Sequence, residues 1–301
     1  MLVALAACCG VIASPSFAQT AVPEPPALMW LDSAGTAPDT HVAFRGRFEL
    51  ATAGEVEVHA CGASWYTIWL DGRFLVDGPN RFDPAHPEYQ LRRVRLEAGA
   101  HVLAVHLTHT GVSTRILADM PPFLYCTVHA DGQKVPVDWR CTKLAGYQPQ
   151  VRRINPQLGW IDWCDTRANP ADWQQPGFND AEWSRPDPAA TRLGELRPTS
   201  IGHISAFALE LLTADSGTFS DTFGYDTDDP PARFFLRDLA PSEHPVQGVW
   251  RRYDVGRVRL GRPRFTIEAP AGTVIEFGYG EQLTGGRVNP WITLSAGQSC
   301  N

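Results

Sequence analysis

The sequence predicts an all-β protein: a two-sheet sandwich of the jelly-roll kind, followed by a second β unit. Three observations predict it. Short runs alternate apolar with polar residues, the period of a strand with one face in a core. Asp-Gly pairs at Asp71-Gly72 and Asp131-Gly132 stand between apolar runs, a strong hairpin signal. The 26 Gly and 25 Pro are spread along the 301 residues and punctuate the chain too often for long helices.

The first segment is a leader rather than part of the fold. Met1 to Ala18 carries no charge, and Leu2 to Ile12 is an apolar run of signal-peptide length, too short to span a bilayer. Ser16-Phe17-Ala18 fits the small-x-small cleavage rule, so residues 1–18 are expected to be removed, leaving Gln19 first. A basic n-region is missing, so the true start is expected upstream. Leu5-Ala6-Ala7-Cys8 also fits a lipoprotein box, but the apolar stretch continues past Cys9, which favours ordinary cleavage over anchoring at Cys8. Either way the expected location is periplasmic or secreted. No other segment is expected to span a membrane.

Strands are expected from about Val42. Phe44, Gly46 and Phe48 alternate with Arg45, Arg47 and Glu49, one set in the core and one wet. Glu55 to Ala60 alternates in the same way. Trp65 to Leu70 and Arg73 to Val76 pair around Asp71-Gly72. Leu91 to Leu96 and His101 to Leu107 follow, and Phe123 to His129 pairs with Val135 to Val137 around Asp131-Gly132. Residues 154–188 are rich in Trp, Asp, Asn and Pro with little periodicity, as in a segment that covers a sandwich edge or lines its rim. Leu193 to Ser205 reads as a returning strand and linker. A second β unit starts near Phe219, with strands at Tyr253 to Leu260, Arg264 to Glu268 and Val274 to Tyr279. Its turns are Ala269 to Gly272 and Thr284-Gly285-Gly286. The boundaries are therefore 28–205 for the first sandwich and 206–301 for the second, which ends without a closing strand.

Composition narrows the function. A net charge of −7 disfavours a nucleic-acid partner. After cleavage five cysteines remain in a disulfide-permissive compartment: Cys61, Cys126, Cys141, Cys164 and Cys300. None forms a C-x-x-C pair, which excludes a zinc ribbon. Cys126 and Cys141 flank Asp131-Gly132 and could meet across a hairpin, although the register is not symmetric. Generic catalytic motifs are absent: no G-x-S-x-G, P-loop or H-E-x-x-H. His101, His106 and His109 suggest a metal trio, but on one strand 101 and 109 share a face that 106 does not. No cofactor is expected. Asp226, Asp228 and Asp229 form an oxygen-rich cluster of the kind that can hold Ca²⁺, with a solvated turn as the plainer reading.

At this point a family pattern emerges. Trp65 to Gly72, Gly78-Pro79 and Leu96 to Val105 resemble a galactose-binding-like sandwich, with His101 where that pattern has Asn. Asp138-Trp139-Arg140, Gly159 to Arg167, Trp173 and Gly177 to Trp183 follow in the order found in the N-terminal region of bacterial α-L-rhamnosidases, glycoside hydrolase family 78. Tyr253 to Arg257, Ala269 to Thr273 and Gly278 to Val288 resemble the concanavalin-like domain preceding the catalytic barrel. The resemblance covers about residues 40–295. It implies a galactose-binding-like sandwich followed by part of a concanavalin-like one, and a carbohydrate partner. It also implies that the inverting acid and base lie in a barrel beyond these residues, so none of the acids here inherits their role. A stand-alone carbohydrate-binding or adhesion protein is the rival reading.

The sugar-binding candidates are aromatic rings beside carboxylates. Trp65 and Trp69 share one strand face with Thr67, while Tyr66, Ile68 and Leu70 take the core face. Four of the ten Trp fall between 160 and 183. Among them Trp160 and Trp163, with Asp162 and Asp165, offer stacking rings and hydroxyl acceptors. Glu281 sits between the Tyr279 strand and a Gly-Gly turn. The plainer readings are cover by the 160–183 loop for Trp65 and Trp69, edge packing for the 160–165 group, and a structural strand end for Glu281.

Overall fold

A computed structural model describes residues 27–33, 35, 37–115, 117–151, 153, 157–202, 209–221 and 246–259, with short pieces between 266 and 300. The segment 1–18 expected to be a leader, with Cys8, and Asp226, Asp228, Asp229 and Glu281 lie outside the described residues.

Twelve strands build the first unit: β1 (Met29–Trp30), β2 (Thr40–Leu50), β3 (Gly54–Ala63), β4 (Trp65–Leu70), β5 (Arg73–Gly78), β6 (Glu88–Leu96), β7 (Gly99–His109), β8 (Phe123–Ala130), β9 (Gln133–Val135), β10 (Asp138–Lys143), β11 (Asp187–Pro188) and β12 (Arg197–Pro198). They form two sheets. One has the order β11-β1-β8-β3-β6-β12 with β9 added to β8, and the other is β10-β2-β7-β4-β5. All pairs are antiparallel except β12 against β6. The fold class is thus the all-β one expected.

The core lies between the sheets. Val42, Phe44 and Phe48 of β2, Ile68 of β4 and Leu103, Val105 and Leu107 of β7 face Val56 and Val58 of β3 and Leu124 and Val128 of β8. The alternation in β4 is as expected: Tyr66, Ile68 and Leu70 are buried and Trp65 is exposed. Tyr66 carries polar contacts across this core. The Tyr66 hydroxyl donates to Gln90 Oε1 at 2.5 Å and lies 3.1 Å from the Ala60 carbonyl on the facing sheet. Gln90 Nε2 donates to Asn80 Oδ1, and Asn80 Nδ2 donates to Thr199 Oγ1. A buried polar atom costs little only when it is paired, and this relay pairs each of them.

Both Asp-Gly pairs form the expected turns. Asp71 and Gly72 have φ of 49° and 75°, and Asp131 and Gly132 have 49° and 73°. Positive φ at both central residues matches the twist of the flanking strands. Asp71 adds a tie: its Oδ1 accepts from the Val102 N–H at 2.9 Å and its Oδ2 meets His101 Nδ1 at 2.7 Å.

Two expectations are corrected, and one open alternative is closed. Cys126 and Cys141 do not meet across a hairpin: after β9 the chain crosses to the other sheet, where β10 pairs with β2. Both thiols are buried and free in the core. The outer face of β2 is wet at Arg47 and Glu49, as expected, but not at Arg45. Arg45 is fully buried, because residues 173–183 fold over it. In the second unit, Tyr253 ends a strand rather than starting one. Here β13 (Thr213–Asp221) pairs with β14 (Val246–Tyr253). Asp254 Oδ1 then accepts from the Gly256 N–H at 2.7 Å, and Gly256 takes φ 74°, which turns the chain out of the ladder. The described residues of 266–268 and 277–279 are not in strands. β15 (Leu283–Thr284) and β16 (Arg287–Val288) close around the expected Gly-Gly turn. Arg287 lies over the Phe219 ring of β13 at 4.6 Å. β17 (Ile292–Leu294) and β18 (Gln298–Cys300) form the last pair.

Candidate functional site

The outer face of the five-stranded sheet carries side chains in rows across the strands. His41, Thr108 and Trp65 form one row. Ala43, His106, Thr67 and Asp77 form the next, and Arg45, Ala104, Trp69 and Phe74 the third. Register fixes this layout, since side chains on one face of paired strands stand opposite one another.

The third row is covered from Arg45 to Trp69, while Phe74 at its end is exposed. Trp173 and Trp183 pack with Ala43, Ala104 and Leu144 to make a second apolar cluster on the outside of the sheet. Trp69 meets Trp173 edge-on at 5.8 Å and belongs to this packing. Beneath the cover, Arg45 Nε donates to Asp180 Oδ2 at 2.9 Å, and its Nη1 donates to the carbonyls of Trp173 and Gln175. Arg47 Nη2 reaches Asp180 Oδ1 at 2.6 Å. Burial pushes the Arg45 pKa down, against the pull of Asp180.

The first two rows are more open and polar. Trp65 is 42% exposed. The Thr67 hydroxyl donates to Asp77 Oδ1 at 2.7 Å. His106 is held neutral by burial and by its neighbour His41, which push its pKa down to about 3.

The 144–165 segment borders these rows. Backbone N–H groups of Gln148 and Asp165 donate to the carbonyls of Trp163 and Gly146, each at 2.9 Å, which fixes the loop on itself. Tyr147 stacks on His41 with centroids 3.7 Å apart. This fixing brings Asp162 over His41. His41 Nε2 lies 3.5 Å from Asp39 Oδ1 and 3.9 Å from Asp162 Oδ1. On the other side of the ring, Nδ1 meets His106 Nε2 at 3.0 Å and the Thr108 hydroxyl at 3.2 Å. Asp39 is buried and takes φ 55°, and its Oδ2 accepts from the Gln150 N–H. Asp39, His41 and Asp162 each offer one ligand atom, all within 4.8 Å of one another. Sequence reading missed this trio. Asp162 lies far along the chain from the other two, and no spacing motif joins them.

The sequence candidates divide on this geometry. Trp65 and Asp162 border the open rows. Trp160 is half-buried and its indole N–H donates to the Thr110 carbonyl at 2.9 Å. Trp163 is half-buried. Asp165 is committed to a 3₁₀ turn: it accepts from Arg167 Nε and Nη2 at 2.8 and 2.7 Å, contacts that hold its pKa at about 2. His101 and His109 face the core side, on Phe48 and Trp30, while His106 points away, as the strand period requires. Two shallow depressions lie at the opposite end of the sandwich, near Glu49 and Ala130 and near Val102 and Pro176.

No protein-family model and no curated protein matches the chain. Among solved structures it is similar to the GH78 family rhamnosidase of Bacillus sp. GL1, with a TM-score of 0.60 and 23% identity over 66% of this chain and 22% of that one. An α-L-rhamnosidase from Aspergillus terreus matches with a TM-score of 0.44 and 18% identity, over 55% of this chain and 21% of that one. A lectin from Pleurotus ostreatus matches with 0.39 and 16%, over 62% of this chain and 50% of that one. The first likeness establishes a shared fold. This chain spans about a fifth of that rhamnosidase's length. Among the described residues no helix is long and apolar enough to cross a membrane.

Proposed function

We propose that this chain is the non-catalytic, N-terminal sandwich portion of an exported α-L-rhamnosidase-like glycoside hydrolase, and that it presents a carbohydrate-binding face. Two lines support the family part: the ordered motifs from Trp65 to Val288, and the fold shared with a GH78 rhamnosidase. The catalytic acid and base belong in this reading to a barrel outside these residues. The whole protein then hydrolyses terminal α-L-rhamnosides with inversion.

The observation that carries the binding face is the exposed Trp65 beside Thr67, Asp77 and Thr108 on the open rows. An indole face stacks on the C–H face of a sugar while neighbouring hydroxyls and carboxylates pair with its hydroxyls. Trp160 and Asp162 border the same rows. Titration calorimetry with L-rhamnose and rhamnosylated oligosaccharides tests it. Binding lost in Trp65→Ala supports the reading, and equal binding by that variant, or none by the parent, rejects it. Sequencing past the codon for Asn301 tests the enzyme part. An open frame encoding a helix-rich domain supports it, and a stop there favours a stand-alone binding protein.

A further inference from the structure

We infer that Asp39, His41 and Asp162 form a binding site for a divalent transition-metal cation. It lies on the outer face of the five-stranded sheet and adjoins the proposed carbohydrate face at Thr108 and Asp162. The argument starts from His41. Its ring is 3% exposed, stacked on Tyr147 and anchored through Nδ1 by His106 and Thr108. That anchoring leaves Nε2 as the nitrogen that faces outward, and two carboxylate oxygens converge on it. Their distances, 3.5 and 3.9 Å, are too long for hydrogen bonds. They suit ligands around a common ion: metal bonds of about 2.1 Å place tetrahedral ligand atoms about 3.4 Å apart. A histidine that ligates a metal typically uses its second ring nitrogen in a supporting hydrogen bond, as His41 does here.

The remaining contacts prepare the same site. Gln150 holds Asp39 Oδ2 and leaves Oδ1 toward His41. Asp39 adopts a left-handed backbone, φ 55°, that turns a non-glycine residue into this position. The third ligand comes from the covering loop. The Asp162 side chain is 68% exposed, so the ion would have one side open to water or to an added ligand. One imidazole with two carboxylates is a borderline donor set, suited to Zn²⁺, Mn²⁺ or Co²⁺ more than to Ca²⁺ or Mg²⁺, which take oxygen ligands throughout.

The test uses the purified, untagged chain from Gln19, stripped with chelator. Zn²⁺ is titrated by calorimetry, with Ca²⁺ as the contrasting ion, and Co²⁺ is followed by visible absorption. The expected result is Zn²⁺ binding at least ten-fold tighter than Ca²⁺, and a Co²⁺ d–d band. Both should weaken at least ten-fold in Asp162→Asn, whose side chain is exposed and whose metal-free melting temperature should equal that of the parent. Asp39→Asn, compared at matched folding by circular dichroism, should weaken Zn²⁺ binding by a similar factor. Absence of Zn²⁺ binding by the parent overturns the proposal. So does binding that both variants retain, which would place the ion elsewhere. A rise in melting temperature on adding Zn²⁺ to the parent, absent in Asp162→Asn, supports it without any sugar present.

Discussion

Arg45 and Asp180 form an ion pair at 2.9 Å beneath the tryptophan cover, with the Arg45 side chain fully buried. Removing one partner leaves an uncompensated charge in a site closed to water. Asp180→Ala is therefore expected to cost about 3–5 kcal/mol, measured by urea unfolding. Because Arg47 also leans on Asp180, the cost should exceed that of Arg47→Ala, whose side chain is half exposed.

Tyr66→Phe removes one hydroxyl and leaves Gln90 Oε1 without its short bond inside the core. The expected loss is about 1–3 kcal/mol, with no change in the denaturant slope. An unchanged midpoint would mean that the relay from Tyr66 to Thr199 holds nothing.

Trp65 and Trp69 stand on the same strand face and should behave oppositely. Trp65→Ala changes stability by no more than about 0.5 kcal/mol and abolishes carbohydrate binding. Trp69→Ala opens the contact with Trp173 and costs about 3 kcal/mol. Thermal melts paired with calorimetry separate the two outcomes.

Burial pushes the thiols of Cys61, Cys126 and Cys141 up to about 12. At pH 8 the folded protein should leave these three unlabelled by a thiol reagent, read by mass spectrometry after digestion. Partly exposed Cys164 should label ahead of them, and all four should label in denaturant.

His101 gives a pH signature. Desolvation pulls its pKa down, but the Asp71 carboxylate and the Glu97 carbonyl outweigh that and leave it raised. A raised folded pKa stabilises the protein below the unfolded value, about 6.5, and that contribution is lost as pH rises through the folded pKa. The stability gap between the parent and His101→Gln should therefore be wider at pH 5.5 than at pH 8.5.

Local chemistry made much of the fold legible. Asp71-Gly72 and Asp131-Gly132 announced their turns because few residue pairs tolerate positive φ twice in succession. The faces of β4 followed from its alternation. What failed were contacts over long separations. Arg45 looked solvated because nothing near it in sequence reveals that residues 173–183 will cover it. Cys126 and Cys141 looked like hairpin partners because the crossover after Val135 leaves no local mark. Asp39, His41 and Asp162 meet only through the register of β2 and the placement of the 144–165 loop. Within the candidate site, the face that carries Trp65 could be read from strand period alone, whereas the meeting of Asp39, His41 and Asp162 could not.

The sheet order has a consequence in time. Both edges of the sheet that begins at β11 and ends at β12 are supplied by residues 187–198, the last to be made in this unit. As the nascent chain leaves the ribosome, β1, β3, β6 and β8 emerge without these neighbours. Arg45 likewise waits for Asp180. Contacts of such separation form late and slowly. The sandwich thus cannot be completed until nearly two hundred residues have been synthesised. Until then the outer edges of β1 and β6 stand open, and an open strand edge is a template for pairing with another chain.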